Sequence, residues 1–348
     1  MNNNTRKALS NWIVQLGKAY GVSPTVIEQA KQFAATPQVE QILKKAIVEK
    51  STLLKRINVR QVSQISGKKL GMLTTQPIAS NTDTSGSGVR TPVNVFGMSE
   101  DEYKCEKTNY DTAITYENLD EWSEFKNFKQ LLQDAINETI ANNKAMIAWY
   151  GEAYAKDSDL VSNPLMQDVG IGWFQQVRNN KPSQLLTEGG TTNEIRFGTG
   201  GDYENIDHAV EEIKTGIPAH KRNDPSLVVL VGSDLLAQQR IDLYKNQGGT
   251  PSEKERVETP QVTSTFGNLP LAQEVFFPGR GLAITSMKNL SIYTQKGSVR
   301  RSIVDNASKD QIENYLSMRD AFVVEDYDSF AALEFKNVKL PDGAGGWA

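Results

Sequence analysis

Four stretches of this sequence hold residue types able to do chemistry. "SNTDTSGSGVRTP" (80–92) is a polar, backbone-rich loop containing Gly86-x-Gly88, and "ISGKKLG" contains Gly67-Lys68. Loops of this composition cradle phosphates when a third glycine, or a Lys followed by Ser or Thr, opens a helix behind a strand. Neither stretch meets that condition. Thr91 stands where the third glycine is needed, with Pro92 and β-type residues after it, and Lys69 occupies the Ser/Thr position. Gly170-x-Gly172 fails in the same way, with Gln175 third.

Nucleophilic triads are built around histidine in most versions, and the chain has two, His208 and His220. There is no G-x-S-x-G beside them and no H-E-x-x-H, so neither acyl transfer nor a catalytic zinc site is expected. The acidic groups at Asp157/Asp159, Asp101/Glu102 and 325–328 lack sugar-stacking aromatics and read as solvated faces. Cys105 is the single cysteine, which excludes an internal disulfide and fits a reducing compartment. It reads as a small packed residue. The best remaining enzyme feature is "SLVVLVGSDLLAQQR", a buried strand turning at Ser233-Asp234 into a helix, where a ligand could sit at the helix N-terminus. An α/β enzyme using that turn is the alternative reading. No catalytic, metal or cofactor residue is assigned.

The elements that would position these residues follow from periodicity. Leu9, Trp12, Ile13, Leu16 and Tyr20 have helical spacing over 5–20. Two further helices are expected at about 24–34 and 38–55, giving short amphipathic segments weakly tied to one another. Residues 1–60 carry ten Lys/Arg and three Asp/Glu, +7, while the remaining twenty-eight and thirty-nine leave the other 288 residues at −11. A basic arm on an acidic body points to an acidic partner for the arm. From 56 to 117 the period turns β-like, giving a long two-stranded excursion with 80–92 at its tip. Trp122, Phe125, Phe128, Leu132, Ile136 and Ile140 then step by three or four along a helix expected over 120–150, capped by Asp120. Thirty-one residues make a rod of roughly 45 Å. Trp173, Phe174 and Val177 mark a short helix; 205–216 is another; β-type runs cover 271–304 and two strands end the chain. The class is α+β. No run of about 18 apolar residues is present, so no membrane partner is expected, and the basic start lacks the apolar segment of an export signal.

"NTDTSGSGVR" (81–90), "YKCEKTNYDTAITYENLDEWSEFKNF" (103–128) and "NPLMQDVGIGWFQQVRN" (163–179), in this order around the long helix, resemble the major capsid proteins of P-two-like (Peduovirus-type) tailed phages. The likeness in length and order covers nearly the whole chain. It implies the Hong Kong ninety-seven phage capsid fold. In that fold 1–55 is an N-terminal arm and 56–117 the extended β-hairpin, or E-loop; 118–205 with 310–348 is a peripheral domain holding the spine helix, and 206–309 an axial domain. It also implies self-assembly through pentamers and hexamers into an icosahedral head enclosing double-stranded DNA without sequence-specific contacts. Further implied partners are an internal scaffold and protease that engages and cuts the arm, a portal protein and possible decoration proteins. The location would be the virion, and the host cytoplasm before assembly. Asp83, Ser85 and Arg90 at the hairpin tip are the expected contacts between subunits. Some members of the fold cross-link a hairpin lysine, but the tip here has none, the nearest being Lys68, Lys69 and Lys104.

Overall fold

The computed structural model describes residues 3–69, 79–85, 88–92, 101–122, 128–247, 265–342 and 345–348. Its main sheet is organised by one long strand, Gln311–Val324. Arg300–Asn306 and Leu290–Gln295 pair with one edge of it, and Thr112–Thr115 and Glu106–Asn109 with the other. Phe33–Ala34 and Asn58–Val62 extend the sheet outward, making seven strands among the described residues. Alternation along the strand sends Ile312, Leu316, Met318, Phe322 and Val324 into the main core. Tyr315, Ser317 and Arg319 take the opposite face.

The spine helix lies over the core face. Among the described residues it spans Phe128–Tyr150, roughly 35 Å of helix, and Tyr116–Trp122 is also helical. Residues 123–127, which the expected single rod included, lie outside the described residues. Asp120 is inside the shorter helix and does not cap the longer one. Ile136 and Ile140 are buried as expected and Leu132 half-buried, together with Ala141, Ala145, Ile147, Ala148 and Trp149. Phe125 and the side chains of Trp122 and Phe128 lie outside what is described. Trp173, Phe174 and Val177, on the helix Trp173–Asn180, have no exposed surface. Trp149 meets Trp173 edge-on, with ring centres 4.7 Å apart. "VGIGW" has a packing reason: a Cβ at Gly172 would fall 2.5 Å from the Ile147 carbonyl oxygen. The glycines let the spine helix end against this turn.

The N-terminal segment differs from the weakly tied arm expected. Leu16, Tyr20, Ile27, Phe33, Leu43, Ile47, Leu53 and Leu54 all belong to the main core. Short amphipathic helices cannot bury their stripes alone, and here they bury them on the sheet and spine. The second helix stops at Glu28; Ala30 turns left-handed at φ 54 and Phe33–Ala34 pairs with Arg300–Arg301. The third ends at Glu49, and Ser51 starts a fresh helix, its Oγ accepting from the Leu54 amide. Glu40 fastens the segment. Its fully buried carboxylate accepts the backbone N–H of Gly297 at 2.9 Å and of Val299 at 3.0 Å.

A second sheet runs in the order Thr265–Phe266, Leu269–Ala272, Leu227–Val231, Leu282–Ser286, Phe330–Leu333, Leu185–Leu186. The helices Ile206–Thr215 and Ser233–Gln247 accompany it. Its core includes Ile195, Phe197 and Tyr203 on one side of the expected 206–309 unit and Ala331, Leu333 and Val338 on the other. Residues 290–306, placed in that unit by sequence, pair instead with Gln311–Val324. These boundaries shift because strands far apart in sequence complete both sheets. Among the described residues of the expected β-hairpin, Ser66–Lys68 pairs with Glu102–Lys104, while 58–62 and 106–115 belong to the main sheet.

Replacing Glu40 by Ala leaves the buried Val299 amide and the part-buried Gly297 amide without their acceptor, so urea unfolding of unassembled protein should show a loss of about 1–3 kcal/mol. A loss within error would mean the segment docks without this clasp.

Candidate assembly surfaces

Lys69 anchors the hairpin base. Its Nζ donates to the Val324 carbonyl at 2.6 Å and the Tyr327 hydroxyl at 3.3 Å, and lies 4.4 Å from the Tyr327 ring centre. Burial pushes the Lys69 amine below its ordinary range, against the attraction of Asp101. Tyr103 meets Tyr293 edge-on at 5.1 Å, and Cys105 is buried with Tyr293, Ala321 and Val323. Burial raises the Cys105 thiol to about 11, so it stays protonated and unreactive at neutral pH.

Beyond this base the described tip residues 79–85 and 88–92 are all exposed, Val89 at 79%. Their hydrogen bonds stay inside one turn: Asp83 Oδ1 accepts the Ser85 N–H at 2.9 Å and its hydroxyl at 2.6 Å. These bonds hold the Asp83 carboxyl below its usual range, so the tip presents a fixed negative charge. The structure thus brings Asp83 and Ser85 together. Arg90 stays exposed, with no bond to either. Among the described residues the tip makes no hydrogen bond to the body.

The body beneath is locked by a buried ion pair that sequence reasoning missed. Lys144 on the spine helix donates to Asp320 Oδ2 at 2.7 Å, with side chains 6% and 1% exposed. Thr294 donates to Asp320 Oδ1 at 2.6 Å, and Lys144 lies 5.9 Å from the Tyr110 ring centre. Buried charges persist only when paired and hydrogen-bonded, so the network fixes where the helix sits on the sheet. Lys44 is buried nearby, 3.8 Å from Glu40, too far for a hydrogen bond. Desolvation depresses its amine; Glu40 opposes the shift and Lys144 adds to it.

At the Ser233-Asp234 turn the start of the helix meets the chain's own backbone. Gly232 and Asp234 donate their amides to the Gly281 and Gly279 carbonyls at 2.8 and 2.9 Å, so the chain itself fills the helix N-terminus. His208 packs edge-on to Tyr203 at 5.3 Å from the first turn of its helix, and His220 sits in a separate loop. Among the described residues no three His, Cys, Asp or Glu side chains are grouped to hold a metal ion, and no helix is long and apolar enough to cross a membrane.

This architecture is that of a shell-forming capsid protein. In a procapsid structure titled "Satellite phage P4 procapsid including size determination (Sid) protein", one chain superposes with a TM-score of 0.69 at 35% identity, covering 86% of this chain and 99% of that one. The capsid of a native GTA particle matches with a TM-score of 0.51 at 13% identity, over 82% and 89% of the two chains, a likeness of fold alone. The fold is the α+β Hong Kong ninety-seven type. By sequence the chain is 35% identical to the "Capsid proteins" of Escherichia phage P2 over 98% of its length and 96% of theirs. It is 33% identical to the major capsid protein of Serratia phage KSP20 over 99% of its length and 100% of the relative's. The family described as "Phage major capsid protein, P2 family" matches residues 8–335. The chain belongs to this family: it is a tailed-phage major capsid protein, a virion component and not an enzyme.

Asp320→Ala strands a buried ammonium and should cost about 3–5 kcal/mol in unfolding free energy; a cost below about 1 kcal/mol would show the pair to be dispensable. Lys44 gives a pH test. Its folded pKa lies below the unfolded value, so the unfolded chain binds more protons over that interval. Lys44 therefore adds stability as pH rises from neutral toward 10.5. Wild-type minus Lys44→Met stability should rise across that window; a flat difference would contradict the assignment.

Proposed function

We propose that many copies of this chain assemble through pentamers and hexamers into an icosahedral head enclosing double-stranded DNA. The observation carrying this reading is the exposed hairpin tip, whose hydrogen bonds among the described residues close on themselves, in a chain that aligns over 98% of its length with phage capsid proteins. The mechanism is association: many weak contacts from extended segments act together. The hairpin 66–104 serves as the E-loop. The body holding the spine helix is the peripheral unit, and the second sheet with its helices is the axial unit facing the centre of each capsomer. The acidic surface keeps DNA from coating the wall tightly.

The basic N-terminal segment is the surface for an internal scaffold and protease, which cuts it during maturation. Because Phe33 and Ala34 are paired in the sheet, a cut near 32–40 needs that edge to open first. A portal protein occupies one vertex, and decoration proteins are further partners. Assembly precedes packaging in the host cytoplasm. Electron microscopy of the protein, produced with and without its scaffold partner, tests the reading. Closed shells or capsomers are expected; a homogeneous small oligomer under both conditions would refute it.

A further inference from the structure

The solvent-facing side of the main sheet holds a concentration of positive charge that the chain does not neutralise. Lys107 stands directly across from Arg319 in the strand register. Arg300 stands across from Ser317, two residues away on the same face. Like charges set opposite each other destabilise a sheet. The three cations border a cavity of about 520 Å³ whose wall also includes Gln32, Ile65 and Ser298 and contains no carboxylate. None of the three makes an ion pair or side-chain hydrogen bond among the described residues; Asp111 feels the charge of Lys107 without forming an ion pair with it. The cavity exists because residues 295–299 bulge between the two ladders, and Glu40 holds that bulge from the core side.

A chain whose residues 61–348 carry an excess of acid has leaned three unpaired bases together at a cost in stability. The same chain carries the opposite feature at its hairpin tip, where Asp83 is ionised, exposed, and has no partner on Oδ2 among the described residues. The fifteen steps of chain from Lys68 to Asp83 can span at most about 50 Å, at roughly 3.3 Å per residue, which is reach enough for a neighbour. We infer that the Lys107–Arg300–Arg319 pocket is a carboxylate-binding socket that receives the Asp83 hairpin tip of a second copy of this chain. Guanidinium forks and an ammonium suit a carboxylate held in a rigid turn. Binding there relieves the like-charge opposition, so the strain of the free chain favours assembly. This inference rests on the assembly reading above.

The test uses full-length protein co-produced with its assembly partners under conditions where wild-type protein forms shells, which separates failure of this contact from failure of assembly itself. The variants are Lys107→Glu with Arg319→Glu, Asp83→Arg, and the three changes combined. Like charges still oppose each other in the first, so melting of the unassembled protein should stay within a few degrees of wild type. Shell yield should fall at least tenfold in the first and second, and recover to within about threefold in the combined variant. Lys107→Gln alone should raise the melting temperature while lowering shell yield, a split that a purely structural lysine would not give. Wild-type shell yield in either charge-reversed variant would overturn the proposal, as would no recovery in the combined one. Normal yield with reduced nucleic acid inside would also overturn it, by assigning the pocket to phosphate. Unfolding of the Lys107/Arg319 variant would overturn it too, by making the cluster part of the fold.

Discussion

The structure depends on one constraint: the strand Gln311–Val324 lies inside a sheet, so its backbone needs hydrogen-bonding partners along both edges. Those partners come from residues 106–115 and from 290–306. Two distant parts of the chain, 106–115 and 290–324, must therefore meet before the body exists, and the helices that cover it arrive from two more. Its side chains add a second demand. Asp320 is buried on the core face, and a buried carboxylate is tolerable only with the Lys144 ammonium and Thr294 hydroxyl against it. Backbone pairing sets the sheet, and the ion pair sets where the spine helix rests on it.

The division between closed core and open periphery follows from the same strand. One face is covered by the spine, the Trp173 helix and the N-terminal helices, all joined in a single apolar cluster. The other carries Tyr315, Arg319 and the charged residues beside them, with a small cluster around Cys105 and Tyr293. A protein that functions alone has little reason to keep unpaired cations on a sheet face and an exposed hairpin tip bonded only to itself. A subunit of a shell has both, because its neighbours complete what its own chain leaves open.

Much of this was legible in the sequence, wherever an element is decided locally. The helices at 173–180 and 206–215 and the strand–turn–helix at 227–247 follow from apolar spacing and fall where the pattern puts them. Ile136 and Ile140 mark the buried stripe of the spine. The long strand was legible only at its apolar end, "AFVV". Its first half, "QIENYLSMRD", holds Asn314 and Asp320 at buried positions, and each is satisfied by a residue from another segment, Asn314 by Thr112 and Asp320 by Lys144 and Thr294. Local patterning cannot show such partners. The cationic pocket was illegible for the same reason: Lys107, Arg300 and Arg319 become neighbours only through register between distant strands. The N-terminal helices were readable as amphipathic, but their periodicity could not say that the body supplies their other half.

Hydrogen–deuterium exchange on assembled shells, compared with unassembled protein, tests the central claim most directly. The account predicts that residues 79–85 and 88–92, exposed and without a hydrogen bond to the body among the described residues, gain strong protection in the shell. The amides of Gln311–Val324, already inside the sheet, should exchange equally slowly in both states. Exchange at 79–92 that is equally fast before and after assembly would contradict the account, because the hairpin tip would then be a free loop and the shell would be held together elsewhere.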